Sequence, residues 1–131
     1  MTATIGLVLD CKDPEALARF WAPALGYADL GSAGSYVVLL DPEGVGPKLL
    51  LQGVPEDKAV KNRMHLDIDA EDIEAEAARL EALGATRVED EPLHEHGTNW
   101  ILMADPEGNE FCVCDGGAAG HSSAPPERRS P

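Results

Sequence analysis

The chain has 131 residues, 44% of them hydrophobic, which is enough for one domain with a real core. Its 10 Lys and Arg stand against 24 Asp and Glu, a net charge of −14, which excludes a basic face for nucleic acid and an affinity for anionic membrane surfaces. No apolar run nears the ~20 residues of a membrane span, and "MTATIGLVLD" has no basic region ahead of its apolar stretch.

The three cysteines, Cys11, Cys112 and Cys114, lack metal-type CxxC spacing and suit reduced thiols, so an acidic cytoplasmic protein is expected. Ile5–Asp10 reads as the first strand. In "DPEALARFWAPALGY", Asp13 is placed to cap a helix whose first residue is Pro14, with Leu17, Phe20 and Trp21 on one face. Pro23 predicts a kink or early end, and Leu25-Gly26 a stop. Strands are expected near Ala28–Leu30, Tyr36–Asp41 and Lys48–Gly53, with the turn Asp-Pro-Glu-Gly between the last two.

"GVPEDKAVKN" is polar, holds Gly and Pro, and reads as a linker. After it the order restarts. "RMHLDIDA" alternates as a half-buried strand does. "EDIEAEAARLEALG" is a helix with the stripe Ile73, Ala77, Leu80 and Leu83, and its carboxylates crowd the N-terminal end, where the helix dipole favours them. Strands follow near Thr86–Glu89, Asn99–Ala104 and Glu110–Cys114, again with Asp-Pro-Glu-Gly in the last hairpin. From Gly116 on, "GGAAGHSSAPPERRSP" lacks apolar periodicity and predicts a disordered tail, residues 116–131.

Both halves thus read strand, helix ending Leu-Gly, then three strands, which points to an internal duplication. The second half is longer, and the excess falls in "EPLHEHGTN". The expected organisation is a single domain over residues 1–115, with one module at about 4–53, a linker at 54–62 and a second module at about 63–115.

The tandem βαβββ pattern, with "DPEALARFWAPALGY" opening one half and "ADPEGNEFCV" closing the other, resembles the vicinal oxygen chelate superfamily. That superfamily includes glyoxalase I, bleomycin-resistance proteins, fosfomycin-resistance enzymes and extradiol dioxygenases. "LLLQGVPEDKAVKNRMHLDI" looks more narrowly like the glyoxalase-like domains of bacteria. The resemblance covers about residues 4–115. It implies an α+β fold in which tandem βαβββ modules form a curled mixed β-sheet cleft with helices outside, a small-molecule ligand, and assembly as a homodimer.

Strand alternation says which residues face such a cleft. In Met64–Asp69, His65, Asp67 and Asp69 share one face and Leu66 and Ile68 the other. In Glu110–Cys114, Glu110, Cys112 and Cys114 oppose Phe111 and Val113. With helices covering the apolar faces, His65, Asp67, Glu110 and Cys112 look inward. The expected ligand-binding residues are Gln52, His65, Trp100, Glu110 and Cys112, and no catalytic residue is assigned. His65 has three readings: a histidine with structural hydrogen bonds only, a ligand contact, or a metal ligand or general base.

The resemblance implies metal ligands on the first, fourth, fifth and last strands for the metal-dependent members. His65 matches the fifth-strand histidine. Gly6 or Leu7 stands at the first-strand position, Gln52 is the nearest donor on the fourth, and Cys112 occupies the last-strand position, with Glu110 one pleat earlier. A divalent metal, if used, would therefore rest on His65, Glu110 and Gln52, or on a softer set with Cys112. The favoured function is small-molecule binding or resistance-type sequestration; the alternative is a metal-dependent lyase, isomerase or dioxygenase with a reduced site. His94 and His96, in the inserted stretch, read as exposed loop histidines.

Overall fold

A computed structural model describes residues 2–95 and 97–115. The expected tail at 116–131 and His96 lie outside the described residues. Among the described residues, two helices and nine strands form an α+β fold with two mixed sheets, divided into two compact units between Ala59 and Val60.

The first unit holds β1 (Gly6–Cys11), α1 (Pro14–Leu25), β2 (Ala28–Ala33), β3 (Tyr36–Leu40) and β4 (Lys48–Gly53), ordered β1-β4-β3-β2. β1 runs parallel to β4 and the other pairs are antiparallel. Asp13 caps α1 by accepting from Ala16 N–H at 3.1 Å. Helix α1 buries Leu17, Phe20, Trp21 and Ala24 and packs on β3 and β4, whose Val37, Leu39, Leu49 and Leu51 are buried. Each such side chain removed from water contributes about 1.5–3 kcal/mol. Pro23 does not end the helix early. The turn closes past it, with Tyr27 N–H donating to Ala22 O at 2.8 Å and Gly26 in the left-handed conformation at φ 71°. The carbonyls left open where the helix ends are thus taken up by the C-cap.

The second unit repeats the order: β5 (Asp67–Asp69), α2 (Ile73–Leu83), β6 (Thr86–Arg87), β7 (Leu93–Glu95), β8 (Thr98–Ala104) and β9 (Glu110–Cys114). The sheet runs β5-β9-β8-β6, with β7 also on β8, and β5 is parallel to β9. Helix α2, capped by Asp72, packs on β8 and β9. On the opposite parity, Trp100, Leu102, Cys112 and Cys114 form a buried cluster with Leu93 packed against it.

The two Asp-Pro-Glu-Gly turns share one device. Asp41 accepts from the N–H groups of Glu43 (2.9 Å), Val45 (3.1 Å) and Gly46 (2.7 Å). Asp105 accepts from those of Glu107 and Asn109, both at 2.9 Å, and from the Asn109 side chain. Gly44 and Gly108 sit at φ 72° and 92°, a conformation glycine adopts without steric cost. The recurrence in sequence is recurrence of a carboxylate-closed turn.

Two departures from the sequence expectation matter for the site. β5 begins at Asp67, three residues later than the alternation suggests, and Met64 is exposed. The parallel ladder places Cys112 N–H on Leu66 O at 3.0 Å. One pleat earlier Glu110 N–H goes instead to the Asn62 side-chain oxygen at 3.3 Å, so the ladder stops there. β7 forms inside "EPLHEHGTN", where polar residues hide a short edge strand that β8 templates.

Candidate functional site

The register of β5 on β9 pairs Asp67 with Cys112, so their side chains rise from the same side of the sheet. His65 lies two residues before Asp67, and its Nδ1 is 3.2 Å from Asp67 Oδ1. The donor atoms of His65, Asp67 and Cys112 all lie within 4.8 Å of one another. Cys112 is fully buried, while the side chains of His65 and Asp67 are 15% and 31% exposed. The cluster is therefore reached by solvent at Asp67 and floored by the buried thiol.

A neutral imidazole carries one donor and one acceptor nitrogen, and the Asp67 carboxylate stands 3.2 Å from Nδ1. On the same side of the sheet as Cys112, Trp100 and Leu102 are buried with it in one apolar cluster.

Glu110 has a different role in the geometry. Its Oε1 accepts the Asn62 N–H at 2.9 Å, and Asn62 Nδ2 donates to Met64 O at 3.2 Å. This carboxylate holds the segment leading to β5. Gln52 lies on β4 of the first unit, in register with Asp10 and Tyr36. The donors that converge within the second unit are thus His65, Asp67 and Cys112, not His65 with Glu110. Asp67 was visible in the strand alternation, sharing the parity of His65; its pairing with Cys112 depends on register, which the sequence leaves open.

The donor set suits a divalent cation by chemistry: one imidazole, one carboxylate and one thiol. His94, by contrast, is tied into its own hairpin. Its Nδ1 hydrogen-bonds Asn99 Oδ1, while Asn99 Nδ2 donates to Asp115 at 2.7 Å. No helix among the described residues is long and apolar enough to cross a membrane.

Residues 6–114 match the model of a family described as a glyoxalase-like domain. A glyoxalase/bleomycin resistance protein/dioxygenase family enzyme from Burkholderia phytofirmans superposes with a TM-score of 0.68 at 16% identity, covering 86% of this chain and 98% of that one. A glyoxalase-related enzyme from Fulvimarina pelagi gives 0.67 at 21%, covering 86% and 88%. The fosfomycin resistance protein FosX from Mesorhizobium loti gives 0.67 at 16%, covering 91% and 96%. At these identities the likeness is one of fold. No curated protein matches the chain.

Proposed function

From the premise that the chain belongs to the glyoxalase-like domain family and carries the vicinal oxygen chelate fold, we propose that it binds a small organic molecule on the second unit. The observation that supports this reading is the partly buried His65–Asp67 pair converging on Cys112, a member of the Trp100–Leu102 cluster. Small-molecule sites combine mostly apolar walls with a few placed polar groups, and this face has both. His65 is the anchor for an acidic or hydrogen-bonding group of the ligand. Trp100 and Cys112 form the floor, and Asp67 orients the imidazole. Resistance-type sequestration, in a cleft completed by a second copy of the chain, needs no metal beside these parts.

A second reading, a metal-dependent lyase, isomerase or dioxygenase, is favoured by the convergence of three donors within 4.8 Å. There His65, Asp67 and Cys112 would hold the cation, which would supply Lewis-acid polarisation of a substrate oxygen. His65 and Asp67 would then serve binding, not proton transfer.

The test is a thermal-shift screen of small metabolites, run with and without chelator. Binding raises stability by mass action, and the reading expects hits that His65→Ala loses. Hits that His65→Ala retains undiminished would contradict the site. Hits that vanish with chelator favour the second reading over the first.

A further inference from the structure

We infer that His65, Asp67 and Cys112 bind a thiophilic divalent cation such as zinc, leaving one coordination position for an outside ligand. The inference rests on the same face as the small-molecule reading and sharpens its chemistry. Asp67 and Cys112 are lateral partners across β5 and β9, so their mutual position is set by backbone pairing. His65 reaches the same spot from just before β5, its Nδ1 already 3.2 Å from Asp67.

Geometry permits closure. Tetrahedral zinc, with bonds of about 2.0–2.3 Å, spaces its donors by roughly 3.3–3.8 Å. The widest pair here is within 4.8 Å, so a contraction of about 1 Å suffices, well inside what a side-chain rotation supplies. The access route is the side on which Asp67 meets solvent.

Chemistry decides the metal. A thiolate selects zinc and cobalt over magnesium and manganese, which prefer all-oxygen shells. Three protein ligands leave the fourth position to water or to an oxygen of a bound molecule. The set differs from the one implied by the family resemblance. Glu110 is held by Asn62, Gln52 belongs to the first unit, and Cys112 stands where a last-strand glutamate is implied. Binding converts the Cys112 thiol to thiolate and releases its proton to solvent, so affinity falls as pH falls.

The experiment uses untagged full-length protein stripped with chelator, titrated with Co(II) and then Zn(II). The expected result is one equivalent bound, a near-ultraviolet thiolate-to-cobalt charge-transfer band, bleaching by zinc, and no displacement by excess magnesium or manganese. Cys112→Ser loses the band. Because Cys112 is buried and its replacement risks the fold, Asp67→Asn is the second variant. It should keep the wild-type circular dichroism and weaken zinc by at least about the tenfold that even outer-shell partners cost. Absence of stoichiometric binding, a cobalt spectrum without the thiolate band, or an Asp67→Asn protein that binds zinc as wild type would each overturn the inference. Organic hits that persist in chelator while zinc fails to bind also overturn it, and leave the small-molecule reading standing.

Discussion

Asn62 and Glu110 grip each other twice. The Asn62 N–H donates to Glu110 Oε1 at 2.9 Å, and the Glu110 N–H donates to Asn62 Oδ1 at 3.3 Å. This clamp fixes where β5 begins, and so how His65 arrives beside Asp67. Glu110→Ala should cost about 1–3 kcal/mol, the usual loss when a charged acceptor leaves a donor unpaired. Glu110→Gln keeps an acceptor and should stay near wild type in urea unfolding. Metal content should be equal in wild type and Glu110→Gln, because the carboxylate is engaged by Asn62 and stands outside the converging donors.

The turn aspartates should separate by burial. Asp105 is 3% exposed and accepts four hydrogen bonds, so Asp105→Ala should cost about 2–3 kcal/mol. Asp41→Ala should cost less, since its turn is solvated.

Asp41 also predicts a pH dependence. Hydrogen bonds from Gly46 and Glu43, then Val45, hold its carboxyl below the ordinary aspartate value. A group depressed in the folded state stabilises above its unfolded pKa, and that contribution is lost as pH falls through the folded value. The melting-temperature gap between wild type and Asp41→Ala should therefore be full at neutral pH and shrink in acid. A gap that widens in acid would contradict the assignment.

Gly46 is required by close approach. A Cβ there would collide with the Tyr27 hydroxyl, which donates to Pro47 O at 2.9 Å. Gly46→Ala should destabilise, and Tyr27→Phe should reduce that penalty by removing the colliding oxygen. A double-mutant cycle measures the coupling, expected at about 0.5–3 kcal/mol for residues in contact.

How much of this was legible in the sequence follows from the kind of signal each feature leaves. Asp13-Pro14, Gly26 and Gly84 are local chemistry, and the first helix starts and both helices stop where those residues put them; the cap at Asp72 lay among carboxylates read only for their charge. Lys48–Gly53 and Glu110–Cys114 have the bounds expected from their flanking turns. β7 left no signal, because an edge strand of Leu93, His94 and Glu95 is made by pairing with β8 rather than by its own pattern. The start of β5 was misplaced because alternation through Met64 and His65 ignores a competing side chain, Asn62, that takes the ladder's next donor. The site was half legible. Parity placed His65, Asp67 and Cys112 on one face, but which carboxylate meets the thiol is a matter of register, and register put Asp67 there.

Trp100 reports on the proposed face, and Trp21 does not, being buried in the α1 core beside Phe20. In a Trp21→Phe protein, a ligand bound at His65 should change the Trp100 emission, with the concentration dependence of the thermal shift. Emission that stays flat through saturation would place the ligand elsewhere.

His65 is tested most directly by calorimetric titration of the strongest screening hit into wild type, His65→Ala and Tyr36→Ala, the last a substitution on β3 of the first unit. His65→Ala should lose at least tenfold in affinity, about 1.4 kcal/mol, while Tyr36→Ala matches wild type. Equal affinities for wild type and His65→Ala, or a loss confined to Tyr36→Ala, would contradict it.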